Sequence, residues 1–311
     1  MPDFRFASDR GHAWPVVQSA AYEAVGRCRM KLSVSVVTFQ QVDYIRQAVE
    51  STLQQETRFP IEVIVGDDAS TDGTLEVLED IHAGAPDRVK LLRAKSNYGD
   101  FGLSNVMATI DAAQGEYVAF LDGDDYWTDR FKLQRQVEFM DAHPECAISA
   151  HRVEHVCEDG TRQLSVRPGV GDAVYDIDRL LNVNFTPKSA TMVRKAALDS
   201  LPGWYRTTTV ASAAWLLNIL TARGGKVGFI DDVMAAHRIH RDSVTLVYGT
   251  KRMLADKLAA FEMLRPYLPQ QEEALLRAER RIRRRLRMLD ISPHGYAFLQ
   301  WLYNHATARR A

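Results

Sequence analysis

Two groups of aspartates carry the first chemistry legible in this 311-residue chain. Asp67 and Asp68 stand in Gly66-Asp67-Asp68-Ala69-Ser70-Thr71-Asp72-Gly73-Thr74, and Asp122, Asp124 and Asp125 stand in Phe120-Leu121-Asp122-Gly123-Asp124-Asp125-Tyr126-Trp127. Each group directly follows an apolar run. If those runs are strands of one parallel sheet, the carboxylates crowd at one edge, and ligands of open parallel sheets bind outside the carboxyl ends of the strands. Like charges packed there repel unless a cation joins them. A hard divalent ion with oxygen ligands, Mn2+ or Mg2+, suits such donors and would share its coordination with phosphate oxygens. Aspartate is also a helix cap and turn former. That plainer reading fits Asp72, ahead of Gly73-Thr74, but explains at most one carboxylate of the Asp122–Asp125 group.

The positioning elements follow from periodicity. Leu32–Phe39 is a near-continuous β-branched run suited to a strand buried on both faces. Ile45, Ala48, Val49 and Leu53 keep helical spacing, and Ile61–Val65 reads as a second strand. Leu75, Leu78 and Ile81 mark a second helix, and Val89–Leu92 a third strand. Leu103, Val106, Met107 and Ile110 give a third helix, closed by Gly115, before a fourth strand at Tyr117–Leu121. Alternation of this kind predicts right-handed βαβ units and a mostly parallel sheet with helices on both faces. Farther on, Glu158–Thr161 reads as a turn, Phe185–Ser189 as a loop, Ala211–Arg223 as a helix and Val227–Ile230 as a strand. Beyond residue 250 the pattern is wholly helical, with Ala274, Ala278, Ile282, Leu286 and Leu289 on one stripe.

Together these segments resemble the ordered signature of family-2 glycosyltransferases, inverting enzymes of the GT-A fold. The match begins with Val34–Phe39, Asp67–Thr74, Asn97-Tyr98-Gly99 with Asn105, and Leu121–Asp125. It continues through Lys132-Leu133-Gln134, His143–Cys146, Leu201-Pro202-Gly203-Trp204, Gly225-Lys226-Val227 and Asp232–His240. The resemblance implies a Rossmann-like GT-A domain that takes a nucleotide-diphospho-sugar, a UDP-sugar being the leading donor. It places Thr38 near the base, Asp68 on the nucleobase with Asp67 orienting its loop, and Asp122 on the ribose or, through water, on the metal. Asp124 is the implied ligand of the Mn2+ or Mg2+ that bridges the diphosphate. His240 matches a late metal or diphosphate ligand, against the alternative of an ordinary loop histidine. His237 is expected to pack. Trp127 and Trp204 are either sugar-stacking rings or core. The acceptor would be a hydroxyl of a glycan or a lipid-linked precursor.

One position departs from the pattern. An inverting transfer needs a general base to deprotonate the acceptor hydroxyl. The resemblance puts an Asp for this before a Trp that opens a helix, but here Ala211-Ser212-Ala213-Ala214-Trp215 places Ala214 there, and no carboxylate lies between Asp199 and Asp231. Three readings stay open: an impaired enzyme, a base brought from elsewhere (Asp231 or Asp232), or a catalytically silent nucleotide-sugar-binding relative. A nucleotidyltransferase is a further rival, disfavoured because Thr38-Phe39-Gln40-Gln41 is not a Gly-rich basic phosphate loop.

Composition sets the outer bounds. Hydrophobic residues make up 46% and charged residues 25%, an ordinary globular balance that excludes global disorder. A net charge of −1 argues against a nucleic-acid partner. Three cysteines outside any CxxC pair fit isolated thiols. No apolar run is long enough to span a bilayer, and Met1–Arg10 lacks the core of a signal peptide, so a cytoplasmic protein is expected. Three regions are expected: a poorly ordered extension (1–30), the GT-A domain (31–245) and a basic helical region (246–311). Between Arg277 and Arg287 seven arginines are opposed only by Glu279. Such a helix either carries solvated charge or makes peripheral contact with anionic lipid at the inner face of the membrane.

Overall fold

The computed structural model describes residues 16–17, 30–166, 168–243 and 247–291. Of the expected extension, Val16–Val17 form strand β1 and Met30 precedes the sheet; its other residues, Cys28 included, lie outside the described set, as does the C-terminal end beyond Ile291.

Strand β2 (Leu32–Thr38) is buried at every position, as its β-branched run requires. It pairs in parallel with β3 (Ile61–Asp67) on one side and β5 (Tyr117–Asp122) on the other, and β3 pairs in parallel with β4 (Val89–Arg93). The chain therefore travels outward from β2 to β4 and returns to lay β5 against β2. That reversal makes the carboxyl ends of β2 and β5 the switch point of the sheet, where a crevice opens. Helices α1 (Ile45–Leu53), α2 (Thr74–Gly84) and α3 (Leu103–Ala112) make the crossovers.

Beyond β5 the sheet mixes directions. After the two-residue β6 (Tyr126–Trp127) and helix α4 (Lys132–Ala142), a long strand β7 (Cys146–Cys157) runs parallel to a slightly longer β11 (Lys226–Ile239). Strand β10 (Met192–Arg194) lies antiparallel between β5 and β7. The expected strand Val227–Ile230 is thus only the start of β11, which carries the Asp232–His240 segment as strand. Sequence periodicity missed β7 because His151, Arg152, Glu154 and His155 interrupt its apolar pattern. Small strands β8 (Arg162–Leu164) and β9 (Ala173–Tyr175) edge β7 and β11.

Two apolar cores flank the sheet. Val34, Val36, Val63 and Val65 face Ile45, Val49, Leu133 and Val137 on one side. The other side joins α3, α5 (Ile177–Asn182) and α6 (Lys195–Asp199) to α7 (Ala213–Ala222) and the C-terminal helices α8 (Thr250–Leu264) and α9 (Glu272–Ile291) through Leu180, Leu198, Leu216, Leu220, Phe261 and Leu275. No helix among the described residues is long and apolar enough to cross a membrane.

Two features hold the switch point in shape. The Asn105 side-chain amide donates to the Gly66 carbonyl at 2.8 Å and to that of Thr38 at 3.3 Å, stapling the ends of β3 and β2. Gly66 makes room for it, since a Cβ there would lie 2.0 Å from Asn105 Oδ1. Gly66→Ala must displace this buried amide and orphan its partners, at a cost of about 1–3 kcal/mol in urea unfolding; an unchanged midpoint would show that the staple carries no stability.

His151, fully buried on β7, donates through Nδ1 to the Arg152 carbonyl (2.7 Å). Burial, and then the charges of Lys132 and Arg135, push its pKa down to about 3. Above pH 6.5 folded and unfolded chains are alike neutral here. Below it the unfolded chain binds a proton that the fold refuses, so stability declines as pH drops toward 3, by at most about 1.4 kcal/mol per pH unit from this group. His151→Gln flattens that slope between pH 6.5 and 4.5 in urea titrations; an identical slope would assign the acid loss to other groups.

Candidate active site

Both acidic loops dock on the end of β2. The Asp68 N–H donates to the Thr38 carbonyl at 3.1 Å, and the Gly123 N–H donates to the Val37 carbonyl at 2.8 Å. Asp67 and Asp68 on one side and Asp122 and Asp124 on the other therefore share one rim, with Thr38 between them. Gly123 permits the approach: a Cβ there would sit 2.8 Å from Thr38 Oγ1 and 2.4 Å from Gln41 Oε1. Thr38 is buried and its hydroxyl donates to Gln41 Oε1 at 2.8 Å. Among the described residues, the non-glycine residues with positive φ are Gln40 (55°), Ala69 (59°) and Phe101 (57°). All three lie in loops at this rim, where backbone strain commonly gathers at functional sites.

Asp68 is buried and anchors the neighbouring loop, accepting from Asn97 Nδ2 at 3.0 Å and from the Tyr98 N–H at 3.2 Å. Burial, with repulsion from Asp100 and Asp67, lifts its pKa to about 6 despite the Tyr98 bond. Asp67 is raised by burial too; its Oδ2 takes the Ser70 N–H at 3.1 Å while its Oδ1 is buried without a hydrogen-bond partner. Asp72, one residue before the Gly73 cap of α2, accepts from the Thr74 N–H at 3.0 Å, in keeping with its turn-forming role.

On the other loop, Asp122 receives Lys188 Nζ at 2.5 Å. Burial raises the Asp122 carboxyl, and the neighbouring Asp124 and Asp125 add to the rise against the pull of Lys188. Lys188 was not visible as a site residue, since a single Lys within Thr186-Pro187-Lys188-Ser189 carries no periodicity or motif signal. The expected loop there is a 3-10 turn, Lys188–Ala190.

Asp124 meets His240 Nε2 at 3.0 Å. Their hydrogen bond raises the His240 pKa, and it holds the Asp124 carboxyl down even though burial pushes the other way. His240 stands just past the end of β11, is 7% exposed, and stacks obliquely on Tyr44 with ring centres 5.1 Å apart. His237, expected only to pack, pairs instead with the fully buried Asp125 (Nδ1 to Oδ2, 2.9 Å), whose other oxygen accepts the Arg238 N–H at 2.9 Å. Burial works against a charged His237, but the charges of Asp125, Asp124 and Asp122 prevail and lift its pKa to about 9. Asp125 is thus the bolt between the acidic loop and β11.

Among the described residues no three His, Cys, Asp or Glu side chains are grouped to hold a metal by themselves. Asp124 and His240 offer one carboxylate oxygen donor and one imidazole, and His240 Nδ1 is buried without a partner. That pair fits a divalent ion whose remaining ligands are diphosphate oxygens and water, Mn2+ more comfortably than Mg2+.

A small cleft of about 40 Å³ adjoins this rim, lined among others by Phe101, Phe120, Lys188, Tyr205, Ala214 and Asn218. Ala214, exposed in the first turn of α7, is in its wall. Asp231 and Asp232, the alternative carboxylates, are engaged away from the cleft: Asp231 accepts the Gly171 N–H at 2.9 Å and Asp232 pairs with Arg135. The tryptophans are structural. Trp127 is buried with Nε1 donating to the Ser189 carbonyl at 2.9 Å, and Trp204 packs against Tyr205 and Tyr267.

Comparison with known proteins accords with this geometry. Residues 33–201, more than half of the chain, match Glycosyl transferase family 2. An uncharacterized protein of Mycobacterium tuberculosis is 33% identical over 214 residues, covering 68% of this chain and 60% of its own length. The chain thus matches less than two thirds of that relative. The Escherichia coli UDP-Glc:alpha-D-GlcNAc-diphosphoundecaprenol beta-1,3-glucosyltransferase WfaP is 37% identical over 112 residues, covering 35% of this chain and 41% of its own. The structure of the mannosyltransferase PcManGT from Pyrobaculum calidifontis, in complex with GDP-Man and Mn2+, superposes with a TM-score of 0.56 at 17% identity, covering 96% of this chain and 84% of that one. The GT-A architecture expected from the sequence is the architecture found.

Asp125→Ala leaves the His237 cation and the Arg238 N–H without their acceptor. Breaking a fully buried pair costs about 3–5 kcal/mol; because the His237 side chain is 37% exposed, about 2–3 kcal/mol is expected in equilibrium unfolding, and a loss under about 0.5 kcal/mol would contradict the bolt.

Proposed function

The chain belongs to glycosyl transferase family 2, and from that premise we propose that it moves a sugar from a nucleotide-diphospho-sugar, a UDP-sugar first among them, to a hydroxyl of a glycan or lipid-linked precursor, with inversion and with Mn2+ or Mg2+ bound. The observation that carries this reading is the meeting of Asp67 and Asp68, Asp122 and Asp124, and His240 from three chain segments around Thr38. WfaP's UDP-glucose donor and undecaprenol-linked acceptor support the choice of substrates, as the GDP-Man and Mn2+ of PcManGT support the metal.

In this reading Thr38, Asp67 and Asp68 hold the nucleoside, with Asp68 switching partners from Asn97 and the Tyr98 amide toward the base. Asp122 takes the ribose, and Asp124 and His240 ligate the ion. When bound, the metal supplies positive charge where the nucleoside diphosphate leaves. Lys188, already 2.5 Å from Asp122 and in the wall of the cleft, adds a second cation on the same side. We assign residues 31–245 to the catalytic unit and 246–311 to an accessory region whose described part is α8 and α9.

A second reading is favoured by one observation: the cleft wall has Ala214 where the base is expected. It describes a catalytically silent protein that binds nucleotide-sugar without turning it over. Release of nucleoside diphosphate from UDP-sugars with Mn2+ separates the two.

The arginine face of α9 gives the setting. Arg280, Arg283, Arg284 and Arg287 are exposed, while Ala274, Ala278 and Ile282 on the same helix are buried in the core. We place this face against anionic lipid at the inner side of the membrane, each arginine near the surface adding about 1 kcal/mol. Changing all four to Glu abolishes flotation with vesicles containing phosphatidylserine; equal flotation of both proteins contradicts this placement.

For the donor site, Asp124→Ala is expected to weaken Mn2+-dependent UDP binding at least tenfold by calorimetry, while UDP binding without metal stays within about twofold, because tenfold is the loss of about 1.4 kcal/mol of metal contact. Unchanged affinity with Mn2+ would remove Asp124 from the metal.

A further inference from the structure

Resting on the donor side of the transferase reading above, we propose that the acceptor atom entering the cleft beside Ala214 is an already ionised oxygen, that of an alkyl phosphate monoester, so that this chain transfers sugar without a general base.

The proposal sharpens that reading at one point, the acceptor. A hydroxyl attacks an anomeric carbon only as it loses its proton, and a base within hydrogen-bond reach must take it. The described lining residues of the cleft include no carboxylate and no histidine, and their polar side chains are Lys188, Tyr205 and Asn218. The Tyr205 hydroxyl donates to the Ala213 carbonyl at 2.9 Å, and burial raises its pKa, so it keeps its proton. Asn218 Nδ2 donates at 2.9 Å to both the carbonyl and the hydroxyl oxygen of Thr186. Neither side chain serves as a base. Lys188 is the charged group that remains. Its Nζ lies 2.5 Å from Asp122 Oδ1, and an ammonium has three N–H groups, which leaves capacity for an incoming anion.

The rest of the wall is apolar, with Phe101, Leu103, Val106, Phe120 and Leu217. Phe101 is 46% exposed and its ring packs edge-on against Tyr248 at 5.2 Å, so apolar surface continues outward from the cleft. The space of about 40 Å³ holds a few water-sized groups, the scale of a head group's oxygens. A single cation in an apolar wall matches a ligand of the same make-up, a charged head on an alkyl tail.

The head is a phosphate rather than a carboxylate because of what transfer leaves behind. A carboxylate spends its one charge on the new bond, and Lys188 loses its attraction as the bond forms. A phosphate monoester, with a second pKa of about 6, is mostly dianionic near neutral pH. It keeps one negative charge after transfer, so its attraction to Lys188 persists through the transition state. Ala214 then suits the chemistry. It is exposed in the first turn of α7, where the helix dipole favours an anion and a carboxylate side chain would repel one.

The step balances without a proton. A phosphate oxygen uses its own electron pair to form the bond to the anomeric carbon. The bond from that carbon to the donor diphosphate breaks, and its pair leaves with the nucleoside diphosphate. The acceptor phosphate gives up one negative charge and the nucleoside diphosphate gains it.

The test uses the full chain with Mn2+, a panel of UDP- and GDP-sugars, and three acceptors on one tail: octyl phosphate, octanoate and octyl glucoside. It reads nucleoside diphosphate release and the mass of the glycosylated acceptor. Octyl phosphate is expected to react faster than either of the others by about tenfold or more, the charge advantage of a nucleophile that needs no base. Ala214→Asp is expected to slow transfer to octyl phosphate by about tenfold or more and to raise transfer to octyl glucoside, with nucleotide affinity within about twofold. Lost folding does not produce that opposite pair of changes. Faster transfer to octyl glucoside or to octanoate overturns the proposal, as does Ala214→Asp at the original rate with octyl phosphate. An original chain that binds UDP or GDP with Mn2+ yet modifies none of the three acceptors also overturns it and leaves the donor reading standing. Failure to bind either nucleotide with Mn2+ overturns the donor reading itself, and this proposal with it.

Discussion

The carbonyls of Val37 and Thr38 mark the last rung of a parallel sheet, and the site is built on how that rung is used. A strand flanked in parallel on both sides ends with peptide groups that its neighbours no longer satisfy in register. Here the next residues of the two flanking segments fill the gap, through the N–H groups of Gly123 and Asp68. Backbone hydrogen bonding at a buried strand end thus fixes where the acidic loops begin. Two small residues, Gly66 and Gly123, then let Asn105 and Gln41 come closer than any side chain at those positions would allow.

Concentrating carboxylates at such a rim is unfavourable, and the fold offsets it unevenly. Asp125 pairs with His237, Asp122 with Lys188 and Asp124 with His240, while Asp67 and Asp68 have only neutral donors; burial raises the carboxyls of Asp67, Asp68 and, despite Lys188, Asp122. In the proposed reading, the Asp67–Asp68 side would hold the nucleoside among neutral donors, and the Asp122–Asp124 side, with its Lys188 and histidine partners, would hold the diphosphate and its ion.

Much of this was legible in the sequence, for identifiable reasons. The βαβ alternation from Leu32 to Leu121 could be read because strands buried on both faces are continuous apolar runs, and chain order then placed the aspartates at one edge. Thr38, Asp67, Asp68, Asp122, Asp124 and His240 do surround one rim. What periodicity did not carry was β7, whose His151, Arg152, Glu154 and His155 mix polar groups into a strand edged by β8, and the length of β11 beyond Ile230. Lys188 and His237 act through single contacts with residues 66 and 112 positions away, and no local pattern records such pairings.

The central claim is that these acidic segments take up a divalent ion together with a diphosphate, neither site being complete alone. Electron paramagnetic resonance of Mn2+ titrated into the protein tests it directly. The account predicts that the free-ion signal is depleted stoichiometrically only when UDP is also present. Equal depletion with and without UDP, or none in either case, contradicts it.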